Sequence, residues 1–199
     1  MADRNYDKLL GIKTVGIREW QGRNLSYNRC EATPYKALDR LFQMYKFNKK
    51  DRVVDFGCGR GRVAFYIHNR FHIPVTGIEM DDRTYNEAVN NKMRYRQRAK
   101  HIKAPIRFEY GLAEHYEINS KDNRFYFFNP FSVEIFKGVV NNIIESLEKE
   151  NRIGDIILYY PMPKYKQYLK SIGSFRMLNK IRVPGADDIR EKFIIYRYK

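Results

Sequence analysis

The residues most able to do chemistry fall in one stretch, Val53-Val54-Asp55-Phe56-Gly57-Cys58-Gly59-Arg60-Gly61-Arg62. Glycines at 57, 59 and 61 let the backbone turn tightly and let a ligand lie against it without Cβ interference. Asp55, at the end of the preceding apolar run, sets a carboxylate where it can accept hydrogen bonds from a cationic or amino group. The spacing is Gly-x-Gly-x-Gly, and Arg62 stands where a dinucleotide fingerprint has its third glycine, which argues against a pyrophosphate-binding NAD or FAD loop. It fits a ligand without phosphate, in which an aminoacyl tail replaces the pyrophosphate. A second carboxylate follows in Gly77-Ile78-Glu79-Met80-Asp81-Asp82. Glu79 can take both hydroxyls of a ribose, and Met80 beside it can offer an apolar face to adenine. The bland alternative is a strand-to-helix turn with no ligand; the placement of Glu79 weighs against it.

These residues need a frame that brings them together. Short apolar, β-branched or aromatic runs at Arg52–Phe56, Pro74–Glu79, Ile106–Tyr110, Arg124–Asn129 and Asp155–Tyr160 read as strands. Between most of them lie helical patterns at Gly61–Phe71, Asp82–Lys100 and Ser132–Glu150, the last with Val133, Phe136, Val140, Ile143, Ile144 and Leu147 on one stripe. A further helix opens near Thr33-Pro34 and runs through Tyr45, and a short one covers Lys164–Ser171. Two final strands, Phe175–Val183 and Lys192–Tyr198, are joined around Pro184-Gly185 without a helix, which predicts an antiparallel hairpin. The expectation is an α/β fold: a single Rossmann-like domain with a seven-stranded, mostly parallel sheet, a C-terminal antiparallel hairpin and helices on both faces. In such sheets ligands bind at the carboxyl ends of the strands, where Asp55 and Glu79 would share a crevice. Residues 1–31 read as irregular, an N-terminal extension or lid in which Trp20 and Tyr27 could cover a site, with the main domain spanning 32–199.

DFGCGRG followed by GIEMD resembles motifs I and II of the class I S-adenosylmethionine-dependent methyltransferases, and the resemblance covers about Thr33 to Lys199. It implies S-adenosylmethionine as cofactor and S-adenosylhomocysteine as product. By that resemblance Asp55, Gly57, Gly59 and Gly61 hold the methionine moiety and Glu79 and Met80 the ribose side. Leu112 and Ala113, after the third strand, frame adenine. Many members carry Asp where Leu112 stands, so adenine contact here is expected to rest on backbone groups. Glu31-Ala32-Thr33-Pro34-Tyr35 resembles the Thr/Ser-Pro element before the glycine loop of some lysine methyltransferases, which implies that Thr33 touches the cofactor's carboxylate end. A helix N-cap is the other reading of Thr33. After the fourth strand, Phe127-Phe128-Asn129-Pro130-Phe131-Ser132 resembles the Asn-Pro-Pro-aromatic motif of enzymes that methylate planar amino groups, with Phe131 in place of the second proline. It implies that Asn129 and the Pro130 carbonyl orient a nitrogen acceptor beside Phe131. A turn with Asn129 bonded to backbone and Phe131 in the core is the alternative.

Methyl transfer depends mostly on positioning, so the acceptor is not written in these motifs. A nitrogen on a protein or nucleic acid is the leading expectation; a small metabolite, or a noncatalytic S-adenosylmethionine-binding module, stand behind it. Lys plus Arg outnumber Asp plus Glu 38 to 23, a formal charge of +15, which makes nucleic acid or an acidic protein a reasonable partner. The densest basic stretch, Lys92–Arg107 with Tyr95 interleaved, could grip a nucleic-acid backbone but reads mainly as the solvated face and C-terminal end of a helix. The histidines 68, 72, 101 and 115 lack metal-ligand spacing, and no metal site is expected. With two cysteines, Cys30 and Cys58, no leader-like N-terminus and no apolar run long enough for a membrane helix, reduced thiols and a cytoplasmic location are expected.

Overall fold

Alternation along the strands decides the layers. In β1 (Val53–Phe56), Val53 joins one apolar cluster while Val54 and Phe56 join another; in β4 (Arg124–Phe127) and β5 (Asp155–Tyr159) the same switch occurs at every apolar residue. Successive side chains on a strand point to opposite faces, so a sheet apolar on both sides must be covered on both. In the computed structural model, which describes residues 2–16 and 31–198, it is. Helices α2 (Tyr35–Met44), α3 (Arg62–Phe71) and α4 (Asp82–Arg98) contribute to one cluster; α5 (Val133–Lys149) and α6 (Pro163–Ile172) contribute to the other.

With β2 (Val75–Glu79), β3 (Ile106–Tyr110), β6 (Phe175–Arg182) and β7 (Lys192–Tyr198), the seven strands order as β3-β2-β1-β4-β5-β7-β6. The first five are parallel, and β7 pairs antiparallel with both β5 and β6. The expected single α/β domain, its seven strands and its closing hairpin are all present. The chain works outward from β1 to β3, then returns to lay β4 on the other side of β1. That reversal is the switch point at which open α/β sheets hold ligands.

Two expectations need correcting. The N-terminal stretch is not irregular throughout: Ala2–Leu10 forms helix α1, with Leu10 and the following Ile12 buried in the α2–α3–α4 cluster. The anchors explain why the pattern was hidden. Tyr6 stacks on Tyr35 at 4.5 Å between ring centroids, and Asp7, 5% exposed, accepts hydrogen bonds from Thr14 and from the Tyr35 hydroxyl. Arg98 donates to the carbonyls of Lys8 and Leu9, satisfying the end of α1. The second correction concerns Thr33. Helix α2 starts at Tyr35 with Pro34 as N-cap and no side-chain cap, while Thr33 Oγ1 lies 2.8 Å from the Tyr126 hydroxyl. Trp20, Tyr27 and Cys30 lie outside the described residues.

Candidate functional site

Three strand ends build the site. β1 delivers Asp55 and then turns through Gly57, Gly59 and Gly61, all with positive φ (70°, 55° and 87°), the left-handed region glycine enters without strain. β2 delivers Glu79, whose carboxylate accepts from the Gly59 and Asp81 amides, both at 2.9 Å. Asp81 in turn caps α4 by accepting from the Thr84 amide at 2.7 Å. Just past the end of β3, the Gly111 amide donates to the Glu79 carbonyl at 3.0 Å. The result is a cleft in which Asp55, Gly57, Gly59, Glu79, Met80, Ala113 and Thr33 all take part.

The two acids differ in what already satisfies them. Glu79 is buried, which raises its carboxyl above the usual range, but backbone N–H groups oppose the rise. Asp55 is 3% exposed and its Oδ2 is buried with no hydrogen-bond partner among the described residues. Burial, and then the nearby Glu79 charge, push the Asp55 carboxyl up to about 8. A buried acceptor without a donor is rare enough to need a reason. A ligand bearing an ammonium group supplies one.

The expected residues do not all sit alike. Leu112 is not on the cleft wall, whereas Gly111 and Ala113 on either side of it are. Gly61 is not on the wall either. A Cβ there would stand 2.6 Å from the Phe108 ring, so this glycine lets α3 pack closely on the sheet. At Gly57 a Cβ would stand 2.3 Å from Cβ of Pro130, which fixes the two loops against each other. Pro130 and Phe131 reach the cleft, but Phe131 is fully buried and packs edge-on against Phe127 in the core under α5. Asn129 faces a neighbouring pocket instead; its Nδ2 donates to the Tyr160 carbonyl at 2.6 Å. Asn129 and Tyr160 both have positive φ (41° and 49°), and for a residue as large as tyrosine that is a strained conformation.

Another wall residue lies within the glycine-loop stretch but has a role that the motif does not show. Arg62, 4% exposed, donates to Thr14 Oγ1 and the Thr33 carbonyl, pairs with Asp3 at 2.6 Å, and lies over the Tyr35 ring at 4.6 Å. It thereby ties α1 and the Thr33 segment to the glycine loop. Its burial could not be read from its place at a helix start. Arg60 adds a second tie, pairing with Glu87 and donating to the carbonyls of Val15 and Gly16. Among the described residues no group of histidine, cysteine, aspartate and glutamate could hold a metal ion. His68 is instead a core residue bonded to the Tyr95 hydroxyl and the Ala104 carbonyl.

Solved structures share this architecture. An RNA methyltransferase from Salinibacter ruber, solved in complex with S-adenosyl-L-homocysteine, superposes with a TM-score of 0.52 over 84% of this chain and 92% of its own, at 17% identity. Aeropyrum pernix fibrillarin, with natively bound S-adenosyl-L-methionine, gives 0.56 over 82% and 73%, at 16% identity. Precorrin-6y C5,15-methyltransferase from Geobacter metallireducens gives 0.56 over 82% and 84%, at 14% identity. The fold is that of the class I methyltransferases. No family model matches the sequence. A protein-lysine N-methyltransferase of Saccharolobus islandicus is 33% identical over 60 residues, 30% of this chain and 37% of that protein's length. No helix among the described residues is long and apolar enough to cross a membrane.

Proposed function

We propose that this chain is an S-adenosylmethionine-dependent methyltransferase acting on a nitrogen of a protein or nucleic acid. The observation that carries the reading is the unsatisfied Asp55 Oδ2, buried beside a glycine loop in a class I methyltransferase fold. Asp55 would accept the cofactor's amino group, Gly57 and Gly59 would make room for its aminoacyl chain, and Arg62 would supply positive charge at the carboxylate end. Glu79 keeps lone pairs for the ribose hydroxyls beyond the two amides it already holds, and Met80, Gly111 and Ala113 would border adenine. When bound, the cofactor supplies an electrophilic methyl carbon, which an acceptor lone pair takes while the carbon–sulfur electron pair stays on sulfur to leave S-adenosylhomocysteine. Little covalent help is needed from protein, so the work of Asn129 and Pro130 is to hold the acceptor. The Asn129–Tyr160 bond fixes that corner before any acceptor arrives.

The short match to a protein-lysine methyltransferase supports the activity but spans too little of that protein to fix the substrate. The test is methyl transfer from radiolabelled S-adenosylmethionine into fractionated lysate, with wild type beside Asp55→Ala and Asn129→Ala, followed by nuclease and protease digests. Label lost with Asp55→Ala supports the enzyme. Absence of S-adenosylhomocysteine binding to the purified wild type would refute it.

A further inference from the structure

The cleft does not end at Pro130. A second pocket opens beside it, and Glu31 and Phe128 belong to the walls of both. It lies between the ends of the neighbouring parallel strands β4 and β5, where Asn129 and Tyr160 are held in strained backbone, and under the loop joining β6 to β7. Its chemistry departs from the rest of the molecule. In a protein with 15 excess positive charges, its charged wall residues are three carboxylates, Glu31, Asp188 and Glu191, and one guanidinium, Arg190. Aromatic rings supply much of the remaining wall: Phe128 and Tyr159 meet at 4.7 Å between centroids, and Tyr160 stands beside them.

Aromatic faces and carboxylates together attract cations, and they do so most when partly withdrawn from water. The chain itself demonstrates this here. The Arg190 guanidinium lies 4.9 Å from the centroid of Tyr160 and pairs with Asp188 at 2.8 Å, while Asp188 also accepts from the Tyr160 hydroxyl. Glu191 is differently placed. Its carboxylate accepts from the Tyr159 hydroxyl at 2.8 Å and makes no ion pair among the described residues. A negative, aromatic pocket next to the methyl-donor cleft suits an acceptor that arrives positively charged. It suits poorly a base flanked by phosphates, which three carboxylates would repel.

Resting on the methyltransferase reading, we propose that this second pocket is the acceptor seat for a lysine side chain of a protein, its ammonium drawn in by Glu191 and its methylenes lying against Phe128 and Tyr160. The ammonium gives one proton to solvent at the half-open pocket before its nitrogen can act as a nucleophile. Asn129 and the Pro130 loop then mark the boundary between the two chambers.

The test is direct binding, measured by calorimetry on protein saturated with S-adenosylhomocysteine. The probes are a short acidic peptide containing one lysine and the same peptide with norleucine. Tighter binding of the lysine peptide, weakened about tenfold in Glu191→Gln with S-adenosylhomocysteine affinity unchanged, is the expected result; a hydrogen bond to a charged group is of that order. Mass spectrometry of the lysine peptide after incubation with S-adenosylmethionine should show an added methyl group. Equal binding of the two peptides, or methylation of an RNA oligonucleotide in preference to the peptide, overturns the lysine seat while leaving the methyltransferase standing. Failure to bind S-adenosylhomocysteine at all overturns the methyltransferase reading instead. The two failures are therefore distinguishable.

Discussion

Two buried aspartates stand at opposite ends of the same sheet and live under opposite conditions. Asp155 opens β5 at the lower edge, fully buried, and its oxygens accept from the Tyr45 hydroxyl and from Arg197 at 2.7 and 2.8 Å, with Arg124 nearby. Asp51 and Asp122 at that edge are also partnered, by Arg124 at 2.9 Å and by the Tyr116 hydroxyl at 3.0 Å. Asp55 lies one residue before the end of β1 at the upper edge, nearly as buried, with an oxygen that finds no partner among the described residues. The lower edge sets its buried charges against each other, with Arg124 Nε, 3.7 Å from Asp155 Oδ2, left without a hydrogen bond among the described residues. The upper edge leaves one for a ligand, and the fold carries an uncompensated group there because the chemistry is to be completed from outside.

Asp155→Ala leaves Arg197 and Arg124 at the buried edge without their shared carboxylate, and should lower stability by about 3–5 kcal/mol in chemical denaturation. Cofactor affinity of whatever stays folded should be intact. A small stability change would mean that the lower network is no tighter than the upper edge. Asp55→Asn should do the reverse. It should weaken S-adenosylhomocysteine binding roughly tenfold to hundredfold, the scale of one or two hydrogen bonds to a charged group. It should also stabilise the ligand-free protein at pH 8. The sign follows from linkage: with its carboxyl raised from 3.8 to about 8, folded Asp55 keeps a proton that the unfolded chain has lost, so its contribution to stability is full below the lower value and is lost as pH rises through the upper one. Thermal melts of wild type and Asp55→Asn at pH 5 and pH 8 measure this; curves that stay parallel would contradict it.

A smaller effect should appear in binding. Because a cationic amino group favours ionised Asp55, affinity should rise severalfold per unit as pH approaches about 8, with proton release on binding below it. Calorimetry in buffers of different ionisation enthalpy detects that proton, and Asp55→Asn should abolish it. Thr33→Val is expected to be milder. It removes the hydroxyl that meets Tyr126 without opening a cavity, and should change stability or affinity by about 1 kcal/mol.

Legibility in the sequence followed the kind of force at work. Strands and helices held by apolar faces were visible, because burial imposes a period of two or of about three and a half. The glycine loop and Glu79 were visible because their backbone demands restrict residue type. Helix α1 was not, since its anchors are a stacked tyrosine and a buried aspartate, which leave no apolar stripe to read. The buried role of Arg62 depends on Asp3, Thr14 and Thr33 converging from elsewhere in the chain, and no local pattern records convergence. Nor does one record that Gly61 serves packing against Phe108, or that Phe131 lies wholly in the core.

The place of β7 in the sheet bears on how the chain is made. Strands β2 to β5 can each add to a neighbour already synthesised, but β6 cannot, since among the described residues it pairs with β7 alone, which is translated after it. As the ribosome releases the chain from its N-terminal side, β6 and the loop that roofs the second pocket wait for Lys192–Tyr198 to slot between β5 and β6. Arg197, in that last strand, then reaches Asp155 and latches the lower edge. Deleting Lys192–Tyr198 would therefore undo not one strand but two, together with the roof of the pocket.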